Sequence, residues 1–186
     1  MELKNLLEGT EEAMMQAEEA MIRDFAGIRT GKASPALVEN ILVDYYGTQS
    51  RLREVAGITT PDPKTIMLQP WDKNALGPIE KAIIASALGI SPVNDGRVIR
   101  LPIPELSTER RSQLSKQVKA RGEDAKVVVR NHRRDANELA KKGEKAGELS
   151  EDELKILLDD VQKLTDNYIK SIDKHIEVKE KELMSI

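Results

Sequence analysis

Apolar residues recur along this chain with two different periods, and the change of period divides it. Between residues 2 and 28, Leu3, Leu7, Met14, Ala17, Met21, Phe25 and Ile28 fall close to a heptad repeat. That spacing predicts a long helix with a coiled-coil-like seam. Gly9 is a weak spot in it, costing roughly 1 kcal/mol relative to alanine. A second long helix is predicted from 108 to about 144, entered through Pro104 and a cap at Ser107 or Thr108. Its apolar stripe is Leu114, Val118, Ala125, Val128, His132, Ala136 and Leu139. At 1.5 Å per residue it would extend roughly 55 Å, far beyond an average globular helix. Gly143 and Gly147 loosen its end, and Ser150-Glu151-Asp152-Glu153 reads as a capping box that opens a third helix. There Leu154, Leu157, Leu158, Val161, Leu164, Tyr168, Ile172 and Ile176 point inward. Three long helices with one apolar stripe each pack as an elongated bundle.

The period shortens in the middle, where the prolines fall, between Arg29 and Leu106. Ile41-Leu42-Val43-Asp44-Tyr45-Tyr46 followed by Gly47-Thr48 reads as a strand and turn. Thr65 to Gln69 and Val98 to Leu101 read as further strands. Between them Asn74 caps a short helix with Pro78 in its first turns, Ile79, Ile83 and Leu88 on its face, and Gly89 as its stop. The fold class is therefore α+β. Residues 1–29 and 106–186 form a three-helix bundle, and 30–105 form a small inserted β/α/β domain. Two connections join them, Arg29 to Pro35 and Leu101 to Glu105. Gly31, Ser34, Pro35, Pro102 and Pro104 are the expected hinge positions, glycine supplying backbone freedom and proline restricting it.

Composition narrows the core and the chemistry. The chain has 186 residues, 39% hydrophobic but only 3% aromatic, so an aliphatic core is expected. There is no cysteine, which excludes disulfides, thiolate metal sites and cysteine nucleophiles. No apolar run approaches the ~20 residues that a membrane span needs, and residues 1–4 do not begin a signal peptide, so a cytoplasmic protein is expected.

Charge gives the strongest functional signal. Net charge is −3 overall, yet residues 108–147 hold twelve lysines and arginines against six acids, a net of +6. The remainder holds 17 against 26, a net of −9. A basic run on a helix is most often a solvated face. A localised positive field on an otherwise acidic protein, however, steers association with a polyanion. Lys116, Lys119, Lys126, Arg130, Arg133 and Asn137 form a second stripe on the basic helix, and Arg130, Arg133 and Arg134 lie within five positions. Arginine matters here because its planar guanidinium grips phosphate bidentately and stacks on bases. Lys119, Lys126, Arg130, Arg133 and Arg134 are thus candidate RNA contacts.

No catalytic set assembles. His132 and His175 fall near apolar stripes without a surrounding carboxylate and nucleophile, so they read as packed side chains. Arg29-Thr30-Gly31-Lys32 lacks the spacing and preceding strand of a phosphate loop. The acids of the third helix read as solvating rather than metal-binding. Trp71 reads as a core or domain-edge aromatic, not a base-stacking platform. No enzyme, metal or cofactor is expected.

Several motifs together are specific. Arg29 to Pro35, Tyr45-Tyr46-Gly47-Thr48, Glu80 to Ile83, Glu109-Arg110-Arg111, Val129 to Asn137 and Asp160 to Asp166 closely resemble, collinearly and across essentially the whole chain, the bacterial ribosome recycling factor family. The resemblance implies an L-shaped molecule that disassembles the post-termination ribosome with elongation factor G and GTP. It implies release of subunits, mRNA and deacylated tRNA. By position it places rRNA-facing arginines at Arg29, Arg111, Arg130 and Arg133, and it makes the inserted domain the part on which elongation factor G acts. The expected partners are large-subunit rRNA and elongation factor G, with the chain a monomer. Lys32 stands where the family more often has arginine, and His132 where an aliphatic residue is common. The rival class is a helical RNA-binding chaperone or scaffold that transmits no force.

Overall fold

A computed structural model describes residues 3–185. Among them are five α-helices: α1 (Leu6–Ala26), α2 (Leu52–Val55), α3 (Leu76–Ala85), α4 (Thr108–Lys145) and α5 (Glu151–Met184). Six strands accompany them: β1 (Leu42–Tyr45), β2 (Thr48–Arg51), β3 (Ala56–Asp62), β4 (Thr65–Pro70), β5 (Val93–Asn94) and β6 (Ile99–Pro102). The chain divides into two compact units. One joins residues up to Phe25 with Ser112–Ser185, and the other is Ala26–Arg111. The first junction falls earlier than the composition change suggests, because α1 ends at Ala26 and leaves 27–29 irregular. The second falls later. The first turn of α4 bonds back to the preceding loop, with Arg110 N donating to Ser107 Oγ at 3.2 Å and Arg111 N to Ser107 O at 2.9 Å. Ser107 is therefore the N-cap.

In the first unit α1, α4 and α5 pack together. Leu3 lies against Gly143 while Asp24 pairs with Arg121, so α1 and α4 are antiparallel. Ser115 meets Glu180 and Lys126 meets Asp173, so α4 and α5 are antiparallel as well. The seam of α1 is Leu6, Thr10, Met14, Met21 and Phe25, with Leu7 only half-buried. The heptad reading passed over Leu6 and Thr10, because a threonine does not register as core. Its hydroxyl donates to Leu6 O at 2.7 Å, which satisfies the buried polar group within the helix. Thr165 of α5 does the same to Val161 O.

On α4 the buried stripe runs Leu114, Val118, Gly122, Ala125, Val129, Ala136 and Ala140. Val128, expected inside, is 40% exposed while Val129 is fully buried. Three consecutive valines leave the choice open in the sequence. Packing selects the one seven residues from both Gly122 and Ala136. Gly143 does not loosen the helix: it is buried, and Leu3 occupies the space a Cβ would need. The end of α4 is set by Gly147 at φ +76, with Glu148 N donating to Gly143 O and Gly147 N to Glu144 O. That is the Schellman arrangement. Ser150 and Glu153 form the expected capping box of α5.

The second unit holds a two-stranded sheet, β1-β2, and a four-stranded antiparallel sheet in the order β3-β4-β6-β5. Ile66 sits opposite Leu101 and Leu68 opposite Ile99, all fully buried. Ile79 and Ile83 of α3 join the same core as Val43 and Leu52. Strand β3 was illegible because four of its seven residues are exposed and it carries a proline and a register shift after Thr59. The cap ahead of α3 is Asp72 rather than Asn74: its carboxylate accepts from Asn74 N at 2.9 Å and opens a 3-10 turn, Lys73–Ala75. The helix stops at Ala85, where Ser86 Oγ donates to Ile83 O, well before Gly89.

Candidate nucleic-acid interface

Helix α4 carries cations in two different states. In its N-terminal half, Lys119, Arg121 and Lys126 are neutralised from neighbouring helices. Lys119 Nζ lies 3.2 Å from Glu180 Oε1, and Arg121 pairs with Asp24 of α1. Lys126 is 9% exposed and makes two ion pairs, at 2.6 Å to Glu123 and 2.7 Å to Asp173. Hydrogen bonds to Asp173 and then Glu123 hold its ammonium pKa above the usual lysine value. Lys126 therefore fastens α4 to α5, with its charge already met by Glu123 and Asp173 despite its place on the basic stripe. A sequence stripe cannot show which carboxylates of other helices come to meet it.

The second state begins at Arg130. Among the described residues, Arg130, Arg133, Arg134, Lys141, Lys142 and Lys145 pair with no carboxylate. Arg130, Arg133 and Arg134 share a face by their three- and four-residue spacing. Arg134 is exposed, and Arg130 and Arg133 are half-buried along their stems. Arg133 Nη1 reaches Gln162 Oε1 of α5 at 3.4 Å, a neutral contact that leaves its charge unspent. Lys141 and Lys145 continue the line at seven- and four-residue steps from Arg134 and are exposed; the spacing alone could have added them. Asn137 lies on the same side, with a buried Oδ1 that finds no donor.

Arg29 and Arg111 belong to the second unit. Arg29 Nη1 donates to Leu88 O at 3.3 Å, and partial burial, then the neighbouring Arg110 charge, lowers its pKa. Arg111 Nε donates to Leu106 O at 3.2 Å. Of the expected hinge residues, Gly31 takes φ +86 and Pro104 lies in irregular backbone. Ser34, Pro35 and Pro102 lie in or beside regular elements of the same unit. Ser34 caps the 3-10 turn Pro35–Leu37, and Pro102 ends β6 opposite Thr65. The β3–β4 turn ties both connections down, through Ala33 N to Pro63 O and Ile103 N to Lys64 O, each 2.7 Å. His175 Nε2 lies 3.5 Å from Glu18 Oε1 between α5 and α1, and His132 is half-buried on α4.

These features define a class: an α+β protein whose three-helix bundle displays one run of unneutralised arginines and lysines. The chain belongs to the ribosome recycling factor family, whose pattern matches residues 21–184. It is 50% identical over 184 residues to the ribosome-recycling factor of Syntrophomonas wolfei, covering 99% of this chain and all of that one. The factor of Nitratidesulfovibrio vulgaris is 50% identical over 186 residues, with both chains covered completely. A solution structure of a ribosome recycling factor superposes with TM-score 0.80 at 42% identity, covering 100% of this chain and 99% of the other. A second structure, at TM-score 0.70 and 42% identity with both chains fully covered, shows the T. thermophilus factor and E. coli elongation factor G bound to the E. coli post-termination complex. No helix among the described residues is long and apolar enough to cross a membrane.

Proposed function

We propose that this chain disassembles the post-termination ribosome together with elongation factor G and GTP, releasing subunits, mRNA and deacylated tRNA. The observation that carries the docking step is the contrast along α4: Lys119, Arg121 and Lys126 are spent on neighbouring helices, whereas Arg130, Arg133 and Arg134 are not. Guanidinium groups spaced along one helix face meet successive phosphates of structured RNA, and such contacts fix register rather than read sequence. The relative's complex with elongation factor G supports the same partner here. The action is mechanical. The bundle anchors on large-subunit rRNA, the inserted unit is driven about the two connections, and the load falls on contacts between subunits. GTP is consumed by the partner, so this chain needs neither cofactor nor catalytic group, and it works in the cytoplasm where ribosomes are.

The test is subunit splitting of purified post-termination complexes, followed by light scattering. Splitting should require this chain, elongation factor G and GTP together. Equal splitting without elongation factor G, or binding to free RNA as tight as to ribosomes, would assign it to passive RNA-binding proteins instead.

A further inference from the structure

The second unit exposes aromatic surface that its fold does not use. Trp71 is 70% exposed and Tyr46 is 74% exposed, in a chain with five aromatic residues in all. Their placement is built rather than incidental. Tyr46 is the one described non-glycine residue at positive φ, +50, and with Gly47 at +74 it makes the two-residue turn of the β1–β2 hairpin. Turns of this kind favour asparagine or aspartate before glycine, because tyrosine is strained there. Strain retained at an exposed position is a mark of function.

Asp72 organises the group. Its Oδ2 accepts from Tyr45 Oη at 2.7 Å and from Tyr46 Oη at 3.1 Å. Asn74 Nδ2 adds a bond to Tyr46 Oη at 3.4 Å, and the two tyrosine rings meet edge to face at 4.5 Å. Trp71, next to Asp72, is pinned through its backbone N–H to Val55 O. The bond to Asp72 raises the Tyr45 pKa to about 12, while the Asn74 backbone N–H and then Tyr45 hold the Asp72 carboxyl below its usual value. Asp72 is therefore an anion at neutral pH, beside electron-rich rings held in fixed orientations.

We propose that Tyr46, Trp71 and Asp72 form a docking site on the inserted unit for a protein surface that presents an arginine side chain. A guanidinium placed on the ring faces gains cation–π attraction, and its N–H groups meet a carboxylate held in place by two tyrosine hydroxyls. Charge separates this occupant from RNA. The charged side chains of residues 44–48 and 71–74 are Asp44, Asp72 and Lys73, a net of −1, with no arginine to meet phosphate. Preformed, rigid aromatic residues are the usual anchors of protein interfaces, since little side-chain freedom is lost on binding.

The functional assay rests on the splitting activity read above; the cross-linking arm needs only that the chain binds the complex, which co-sedimentation checks first. Exposure makes Trp71→Ala and Asp72→Asn tolerable to the fold, asparagine keeping its Oδ1 as the acceptor for the Asn74 N–H cap while its amide NH2 stands where Oδ2 accepted from the two tyrosine hydroxyls. In the splitting assay each should raise the half-saturating concentration of this chain about fivefold, with unchanged unfolding midpoints, while Trp71→Phe stays near wild type. In parallel, p-benzoylphenylalanine at position 71 is irradiated on purified post-termination complexes with elongation factor G, and the adducts are mapped. Adducts to a protein peptide containing arginine support the site. Adducts to rRNA, no adduct, or an unaltered half-saturating concentration for Trp71→Ala would each overturn it. If wild-type protein itself failed to split ribosomes, the proposed function would fall, and the adducts would still decide this inference.

Discussion

Replacing Lys126 separates structural cations from binding ones on the same helix. Lys126→Met keeps most of the buried stem and removes the ammonium, whose side chain is 11% exposed. Two pairs are lost, to Glu123 and Asp173, whose carboxylates are 60% and 54% exposed. Half-exposed partners return to water when the lysine is gone, so no buried charge is stranded, and the ~3–5 kcal/mol cost of breaking a buried pair does not apply. Screening limits each pair to roughly 0.5 kcal/mol, and the bundle should lose about 1 kcal/mol in all. Its pH dependence has a definite sign. The folded-state pKa of Lys126 is raised above 10.5, so the stabilisation is complete below that pH and disappears as pH rises through the higher folded value. The gap between wild type and variant should thus be constant through neutral pH and close only in strong alkali. Urea unfolding followed by far-UV circular dichroism reads mainly the long helices, while fluorescence of Trp71, the sole tryptophan, reads the other unit. Ribosome affinity and its salt slope should not move. A variant with wild-type stability, weaker ribosome binding and a shallower salt slope would show that Lys126 meets phosphate after all.

Arg133→Ala should behave in the opposite way. Its contact with Gln162 is at the limit of hydrogen bonding, so stability should change by less than about 0.5 kcal/mol, whereas ribosome binding weakens and the log–log salt slope shrinks by about one counterion. A collapsed melting temperature with unaltered affinity would make the arginine structural. Gly122→Ala tests the close approach of α4 and α5, since a Cβ there would overlap the end of the Ile176 side chain. Helix propensity gains about 1 kcal/mol and overpacking costs about 1–3 kcal/mol, so a net loss near 1 kcal/mol is expected. Combined with Ile176→Ala the two losses should not add; additivity within about 0.4 kcal/mol would mean that the helices do not meet there.

What the sequence disclosed follows from which signals are local. The extent of α4 and the Ser150–Glu153 box were legible because caps and glycine stops act within one turn. The fold class was legible from the shift of period at both ends of the middle segment. Register between helices was not: Val128 and Val129 are equally apolar, and Gly122 reads as a weak point in a helix until Ile176 is seen filling the space above it. Strand β3 escaped because its second half, Thr59 to Asp62, is exposed at every position and carries a proline and a register shift, so no buried face imposes alternation there. Trp71 was misjudged as a possible core residue for a related reason, since an isolated aromatic carries no period.

The same distinction governs the basic stripe, and it bears on how such stripes act. Lys126 and Arg133 are seven residues apart and look equivalent on a helical projection. One is neutralised twice and the other not at all, and the difference lies in α5, where Asp173 stands opposite the first and Gln162 opposite the second. A charged helix in a bundle therefore presents only the part of its charge that its neighbours leave unmet. Here most of that part lies between Arg130 and Lys145, towards the capped end of α4, with Lys116 outside it. By sequence the net +6 divides evenly, +3 on residues 108–129 and +3 on 130–147, but carboxylates of α1 and α5 offset the first share at Lys119, Arg121 and Lys126. Binding that rests on the unmet cations should be lost by substituting Arg130, Arg133 or Arg134 and kept on substituting Lys119 or Lys126, a distinction that sequence charge alone does not draw.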